Sequence, residues 1–193
     1  MSTPYARDIA VIDDTSCTNF YGLPLLVIIA VDENFRSQVM SFSVLPSRRT
    51  EDFEAYLTAV KNRVGTIRLF VCDRNRTQIR AIRQVFPEAK IIYCAIHIGR
   101  NLKQKVGKEM QILYKKMRRS VIGEDEFLEV CEDHIRSNPG AKSSKLLTGL
   151  LTEREHWLPS ITGQYTHCDN ETSTRVEGFF GTLKKLIEYI YKC

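Results

Sequence analysis

The chain has 193 residues, of which 43% are hydrophobic and 26% are charged, and its formal net charge is +5. These totals suit a globular protein of one domain or one and a half, without a low-complexity tract or a linker. The longest apolar run, 23–31, is too short to span a bilayer, and Arg7 and Asp8 stand where a signal peptide needs apolar residues, so we expect no membrane anchor. The six cysteines are scattered rather than spaced as a disulfide framework, which favours a reducing compartment.

The first part of the chain predicts three strands joined by short turns. Residues 8–13 and 25–31 are continuous apolar runs, and 38–45 alternates apolar with polar side chains. Short connections between such strands predict an antiparallel meander. A helix start signal lies in 46–50, and apolar residues then recur at helical spacing until Gly65.

The next stretch alternates strands and helices. An apolar run over 67–72 ends at Asp73, an amphipathic run covers 77–86, and a second apolar run covers 89–93. A strand that leads into a crossover helix places the acid at its end on the carboxyl edge of a parallel sheet, where α/β folds tend to bind ligands. Asp73 is therefore the first candidate site residue.

The order of these elements predicts a ribonuclease H-like α/β fold. Its five strands form one mixed sheet in the order 3-2-1-4-5 with flanking helices, and strands one and four lie side by side and parallel. Because neighbouring strands are only about 5 Å apart, Asp13 at the end of strand one would face Asp73 across a gap that suits a divalent cation. Asp14 is an alternative to Asp13. Asp13 can also be an ordinary turn residue at a strand end, and Asp73 an ordinary acid just before a helix.

The rest of the chain is predicted to be helical. Four helices are predicted after His97, over 101–120, 124–136, 143–151 and 153–158. We expect a core over 1–100, an all-helical insertion over 101–164, and a final helix within 165–193 that returns to the core.

The final helix is predicted to start near 172–174 and to pack an apolar stripe on the sheet. The stripe comprises Val176, Phe179, Phe180, Leu183, Leu186, Ile187 and Ile190. Glu177 lies off this stripe and is the best-placed third acid, and Gly181 one turn later leaves room for a polymer backbone. Thr174-x-x-Glu177 also fits a capping box, in which the glutamate only satisfies the start of the helix.

Three acids at one sheet edge would form a metal site. Carboxylates held close together repel one another, and a divalent cation supplies the missing counter-charge. Mg²⁺ takes oxygen ligands and retains waters, and two such ions can serve an in-line phosphoryl displacement. The candidate ligands are Asp13, Asp73 and Glu177.

Cys94-x-x-His97 allows two interpretations. Together with Cys131-x-x-His134 it could complete a tetrahedral zinc site. Alternatively, Cys94 ends a core strand, and His97 opens the next helix, where it could hydrogen-bond a metal ligand or contact a phosphate.

Positive charge concentrates between His97 and Arg119, where eight basic residues accompany one acid, Glu109. A local basic surface of this kind suits a polyanion such as nucleic acid, although it can equally be the solvated face of a helix. The residues we select for DNA contact are Arg100, Lys103, Lys115, Lys116, Arg118 and Arg119. The same cluster could act as a nuclear import signal.

A set of short motifs runs through the chain in a fixed order. They are Asp13-Asp14-Thr15-Ser16-Cys17-Thr18-Asn19 with Pro24-Leu25, Cys72-Asp73, Ala81-Ile82 with Val85-Phe86-Pro87, Cys94-x-x-His97 with Asn101, Trp157-Leu158-Pro159, and Thr174-Arg175-Val176-Glu177 with Leu183-Lys184. In this order they resemble the Mutator-like element (MULE) transposase domain over nearly the whole chain.

The resemblance implies a ribonuclease H-like core that is interrupted by a helical insertion and that cuts and joins DNA at transposon ends. The Asp-Asp-Glu triad would be Asp13, Asp73 and Glu177. These three acids would hold two divalent ions, either Mg²⁺ or Mn²⁺. Cys94 and His97 would be the family signature beside it. The implied reaction is attack of activated water on a phosphodiester, then attack of the freed 3′ hydroxyl on target DNA. Double-stranded DNA, a homodimer and a nuclear location are further implications.

The chain departs from the family pattern at several positions, which are Asp14, Ser16, Cys17, Tyr56 and Phe180. Family members usually carry a zinc-binding DNA-recognition module upstream, and only twelve residues precede Asp13 here, so we expect a truncated copy. This favours a second hypothesis, a domesticated or decayed relative that binds DNA or protein without cutting, as the far-red-response transcription regulators of plants do with a similar core. A third is a nuclease that acts on RNA–DNA hybrids.

Overall fold

The computed structural model describes residues 9–15, 21–31, 36–165 and 174–192. Its five strands are β1 (Ile9–Thr15), β2 (Leu25–Val31), β3 (Ser37–Val44), β4 (Leu69–Cys72) and β5 (Lys90–Tyr93). They form one sheet in the order β3-β2-β1-β4-β5, in which β2 is antiparallel to β1 and β3, and β4 is parallel to β1 and β5. The predicted α/β class, the mixed sheet and the strand order are therefore confirmed.

The strand pairing sets which acids meet at the sheet edge. Ile9 pairs with Leu69 and Val11 pairs with Val71 in the parallel ladder between β1 and β4. If the same offset continued for two more residues, Asp13 would lie opposite Asp73, which directly follows β4. Side chains alternate between the two faces of a strand, so Asp13 shares a face with Val11 and Asp14 points to the other face.

Helices occupy most of the remaining described residues. They are α1 (Thr50–Val64), α2 (Arg76–Val85), α3 (Ala95–Lys105), α4 (Lys108–Arg118), α5 (Glu124–Ser137), α6 (Lys142–Leu151), a short 3-10 helix (Arg154–His156), α7 (Pro159–Thr162) and α8 (Thr174–Lys192). None of the helices in these described ranges combines the length and apolar character needed to cross a bilayer.

The first compact unit contains the sheet with α1, α2 and α8, from within residues 1–94 and 167–193. Its core is built from the fully buried middle of β1, β2 and β4 and from the apolar faces of the helices. Asn75 starts α2, because its Oδ1 accepts hydrogen bonds from the N–H groups of Thr77 (3.1 Å) and Gln78 (3.4 Å). This cap fixes where the chain leaves the carboxyl end of β4.

The second compact unit is the helical segment, residues 95–166. Its core contains three mutually packed rings, Tyr114, Phe127 and Trp157, with centroids 5.8 to 6.2 Å apart. The Trp157 Nε1–H donates a hydrogen bond to the Leu150 carbonyl at 2.8 Å, so the indole is buried without leaving its polar atom unsatisfied.

Two helix predictions in this unit are wrong. The single basic helix over 101–120 is divided between α3 and α4, because Gly107 adopts φ +146° at the start of α4. The predicted helix over 153–158 is only the 3-10 turn, and α7 after it was not predicted. The first error matters for function because it divides the basic residues between two helices.

Candidate active site

Asp13 and Glu177 come together on one face of the sheet. Asp13 lies near the end of β1 and is 8% exposed, whereas Glu177 lies in the first turn of α8 and is half-buried. One carboxylate oxygen of Asp13 lies within 4.8 Å of one carboxylate oxygen of Glu177. Two of the three predicted acids, far apart in sequence, therefore converge.

The docking of α8 on the sheet explains this convergence. The helix packs against β1 and β2, and its apolar side chains Val176 and Phe180 are buried. Glu177 follows Val176 and is turned by about 100° around the helix, which places it beside the buried stripe. The Arg175 guanidinium donates a hydrogen bond to Ser37 Oγ at 2.9 Å and so ties the start of α8 to β3. The side chains of Leu186, Ile187 and Ile190, which complete the predicted stripe, lie outside the described part of the helix.

Asp73 directly follows β4, the parallel neighbour of the strand that carries Asp13. Its Oδ1 accepts a hydrogen bond from the Arg74 N–H at 2.6 Å. Burial raises the pKa of the neighbouring Cys72 thiol above its ordinary range, and the negative charges of Asp73 and Asp13 raise it further. Both carboxylates thus act on the same buried sulfur. Among the described residues, however, Asp73 is not part of the group of mutually close ligand atoms that contains Asp13 and Glu177.

Asp14 points to the opposite face and is ion-paired there. Its Oδ2 lies 2.6 Å from Arg48 Nε, two residues before the start of α1. The Asp14 N–H also donates a hydrogen bond to Asp13 Oδ1 at 2.9 Å, which fixes the Asp13 carboxylate. Of the two adjacent acids, Asp13 is the one beside Glu177.

A comparison with protein families bears directly on this sheet edge. The model of the MULE transposase domain matches residues 9–101, from the start of β1 into α3. Over this stretch the chain is similar to MULE transposases. The match covers the sheet, with Asp13, Asp73, Cys94 and His97, and the family predicted from the sequence is confirmed. Glu177 lies beyond the matched residues.

A plant relative extends the similarity beyond the MULE domain. Protein FAR1-RELATED SEQUENCE 6 of Arabidopsis thaliana is 25% identical to this chain over 170 residues, which is 82% of the chain. The chain spans only 23% of the length of that relative. The chain is thus transposase-related, and it resembles one part of a larger protein.

Cys94 and His97 follow β5 in the MULE domain. Cys94 is fully buried, and its N–H donates a hydrogen bond to the Cys72 carbonyl at 2.7 Å, so it extends the pairing of β4 with β5. His97 lies in the first turn of α3 and is half-buried. The role predicted for His97, a contact to a metal ligand or to a phosphate, stays a prediction.

The zinc interpretation of the Cys-x-x-His motifs gains no support from the structure. Cys131 Sγ lies 4.0 Å from Met110 Sδ in the helical core, and burial raises the pKa of the Cys131 thiol to about 12, which disfavours the thiolate that a metal needs. His134 Nε2 lies 3.0 Å from Ser143 Oγ. Neither residue belongs to a group of three or more candidate ligands in the part of the chain that the structure describes.

The basic residues selected from the sequence lie on the surface of the helical unit. All six are exposed except Arg118, which is half-buried. They are Arg100 and Lys103 on α3, Lys115, Lys116 and Arg118 on α4, and Arg119 at the end of α4.

Lys184 is a site residue that the sequence analysis did not select. Its Nζ donates a hydrogen bond to Thr15 Oγ1 at 3.3 Å, and Thr15 lies two residues beyond Asp13 on the same face of β1. Lys184 is seven residues after Glu177, so the two residues lie about two turns apart on one side of α8. The seven-residue spacing from Glu177 is the feature of the sequence that indicates Lys184 as a neighbour of the site.

Proposed function

We propose that this chain is the catalytic core of a MULE-type DNA transposase, which hydrolyses phosphodiester bonds and transfers strands at transposon ends with Mg²⁺ or Mn²⁺. The carrying observation is the approach of the Asp13 and Glu177 carboxylates to within 4.8 Å, with Asp73 at the end of the adjacent strand. A ribonuclease H-like assignment of the fold is part of the proposal, and the strand order supports it.

The donor set fits a divalent cation. Two carboxylates this close, one of them buried, repel one another more strongly than they would in water, and a cation between them relieves that repulsion. Oxygen donors suit Mg²⁺ and Mn²⁺ rather than the soft metals. When bound, two such ions would supply an activated water and stabilise the leaving oxygen.

The chain's own residues position these donors. The Asp14 N–H holds the Asp13 carboxylate, the Arg74 N–H holds that of Asp73, and the docking of α8 holds Glu177. Lys184 adds a positive charge on the same face. There it would bind a phosphate that neighbours the cleaved phosphodiester bond of the DNA strand.

The proposal extends to the partners of the chain. Its substrates would be double-stranded transposon ends and target DNA, contacted by the six basic residues of α3 and α4. We also place the protein in the nucleus and expect it to act as a homodimer, as the family resemblance implies.

Metal binding tests the proposal without needing the DNA sequence that is recognised. We expect the 193-residue chain to bind Mn²⁺, measured by isothermal titration calorimetry and electron paramagnetic resonance, and Asp13→Asn or Glu177→Gln to weaken this binding at least tenfold. Glu129→Gln on the exposed surface of α5 is the matched control and should bind as the wild type does. Unchanged Mn²⁺ binding by both site variants would refute the metal site.

Cleavage tests the reaction itself. The wild type should nick supercoiled plasmid DNA in the presence of Mg²⁺ or Mn²⁺, and Asp73→Asn should abolish the nicking. A folded protein that binds metal but never cuts DNA under these conditions would contradict the transposase assignment.

A second candidate is a transposase-derived protein that binds DNA without cutting it. The observation that favours it is that Asp73, among the described residues, is not part of the group of mutually close ligand atoms that contains Asp13 and Glu177. This candidate predicts tight DNA binding that neither divalent metal nor Asp73→Asn changes.

A further inference from the structure

The helix that follows β4 carries only one sign of charge. The exposed positions of α2 are Arg76, Arg80, Arg83 and Gln84, and the helix contains no acidic residue. Its opposite face is apolar and packs into the first compact unit, with Ile79, Ala81 and Ile82 buried. The polar face of this helix is thus a row of three arginines.

This row is unfavourable for the helix by itself. Arg76 occupies the first turn, where the helix dipole favours negative charge, and no acid there compensates it. Arg76 and Arg80 are one turn apart, at a spacing where like charges repel. Neither of the two is ion-paired with another side chain in the described ranges. A bound polyanion would relieve both penalties.

The spacing of the row matches a DNA strand. With a rise of 1.5 Å per residue, the seven steps from Arg76 to Arg83 cover about 10 Å, and the three arginines lie within a narrow arc of the helix surface. One strand of B-DNA presents a phosphate every 3.4 Å along the helix axis, so the row would face about three phosphates. A binding site for a single small anion would not need a row of arginines of this length.

The row also starts at the candidate active site. Arg76 comes three residues after Asp73, and the Asn75 cap fixes the start of α2 at the carboxyl end of β4. DNA that reaches the acids at this edge therefore passes the first turn of α2.

We infer that the exposed face of α2, formed by Arg76, Arg80 and Arg83, binds the phosphate backbone of duplex DNA beside the cutting site. The inference rests on the proposed function, because that function brings duplex DNA to this edge. It adds a binding surface in the first compact unit, separate from the basic residues of α3 and α4.

The test compares two variants of equal charge change in the full chain. Arg76→Glu/Arg80→Glu reverses two charges of the row, and Arg63→Glu/Lys145→Glu reverses two exposed charges elsewhere. Binding of a fluorescein-labelled 30-base-pair duplex of mixed sequence is measured by anisotropy at several salt concentrations. Circular dichroism and thermal melts check folding, and Arg76→Gln/Arg80→Gln repeats the comparison with a milder change.

We expect the row variant to bind the duplex at least tenfold more weakly than the control at about 0.1 M salt, and its slope of log K against log salt to be shallower by about two. If the row variants and the control bind alike, the inference is wrong, even when Asp13→Asn still weakens Mn²⁺ binding. If the row variant binds weakly but the wild type never cuts DNA, the surface stands and the catalytic proposal fails. A wild type that does not bind the duplex overturns both.

Discussion

Adjacent side chains on a strand serve different faces, and this gives Asp13 and Asp14 different roles. Asp14 is ion-paired with Arg48, whose side chain is 44% exposed, so Asp14→Asn should cost only about 0.5 to 1 kcal/mol of unfolding free energy. Asp14→Asn should keep wild-type Mn²⁺ affinity, whereas Asp13→Asn should lose it. Urea denaturation and calorimetry measure the two effects. Loss of metal binding in Asp14→Asn, with the fold intact, would make Asp14 the ligand instead.

Lys184 and Lys185 offer a matched pair at the same scale. Lys184 contacts Thr15 beside the acids, whereas Lys185 is exposed. We expect Lys184→Ala to lower plasmid nicking about tenfold through weaker DNA binding, as the loss of one phosphate contact implies, and to leave Mn²⁺ binding unchanged. Lys185→Ala should change neither. Equal effects of the two substitutions would show that Lys184 has no special place at the site.

At the scale of the elements, Gly107 and Gly123 differ only in backbone conformation. Both precede a helix and have open space where a Cβ would stand, but Gly107 has φ +146° and ψ 167°, and Gly123 has φ −68°. The first conformation is essentially restricted to glycine, so Gly107→Ala should cost about 1 to 3 kcal/mol of unfolding free energy. Gly123→Ala should cost about 0.5 kcal/mol, which is the difference between glycine and alanine at the N-cap position of a helix. Similar urea midpoints for both variants would contradict this.

The same glycine shows where sequence patterns stop being informative. The strands were predictable because continuous apolar runs need burial on both faces, and the order of the elements then gave the order in the sheet. The break at Gly107 was not, because the basic and apolar periodicity continues across it, and one residue with positive φ redirects the chain. The α7 helix is too short to show a period.

The candidate site was predictable to a similar extent. Strand order alone brings Asp13 beside Asp73, because parallel neighbours end at the same edge. The approach of Glu177 was inferred from motif resemblance, since its distance depends on how Val176 and Phe180 pack on the sheet. The contact of Lys184 with Thr15 depends on the same packing and could not be derived from helical spacing alone.

At the scale of the whole molecule, positive charge is spread over both compact units. Reversing Lys115, Lys116, Arg118 and Arg119 should weaken duplex binding and flatten its salt dependence, because these residues lie on the surface of α4 and at its end. Unchanged anisotropy titrations would exclude this surface from DNA binding. Additive losses when this change is combined with Arg76→Glu/Arg80→Glu would indicate independent contributions to one DNA complex.

Each compact unit also buries a group that resists ionisation, which makes the stability of the molecule sensitive to high pH. Burial raises the pKa of Tyr56 from 10 to about 12 in the first unit and that of Cys131 from 9 to about 12 in the helical unit. Both groups ionise first in the unfolded chain, so their stabilising effect is complete below pH 9 and is lost as pH rises towards 12. At high pH the chain loses unfolding free energy, and Tyr56→Phe should remove up to about 2 to 3 kcal/mol of that loss, since each pKa unit is worth 1.36 kcal/mol. Urea unfolding at pH 8, 9.5 and 11 measures it. Tyr21→Phe is the control because that ring is 81% exposed, and a similar flattening in both variants would show that burial of Tyr56 is not the cause.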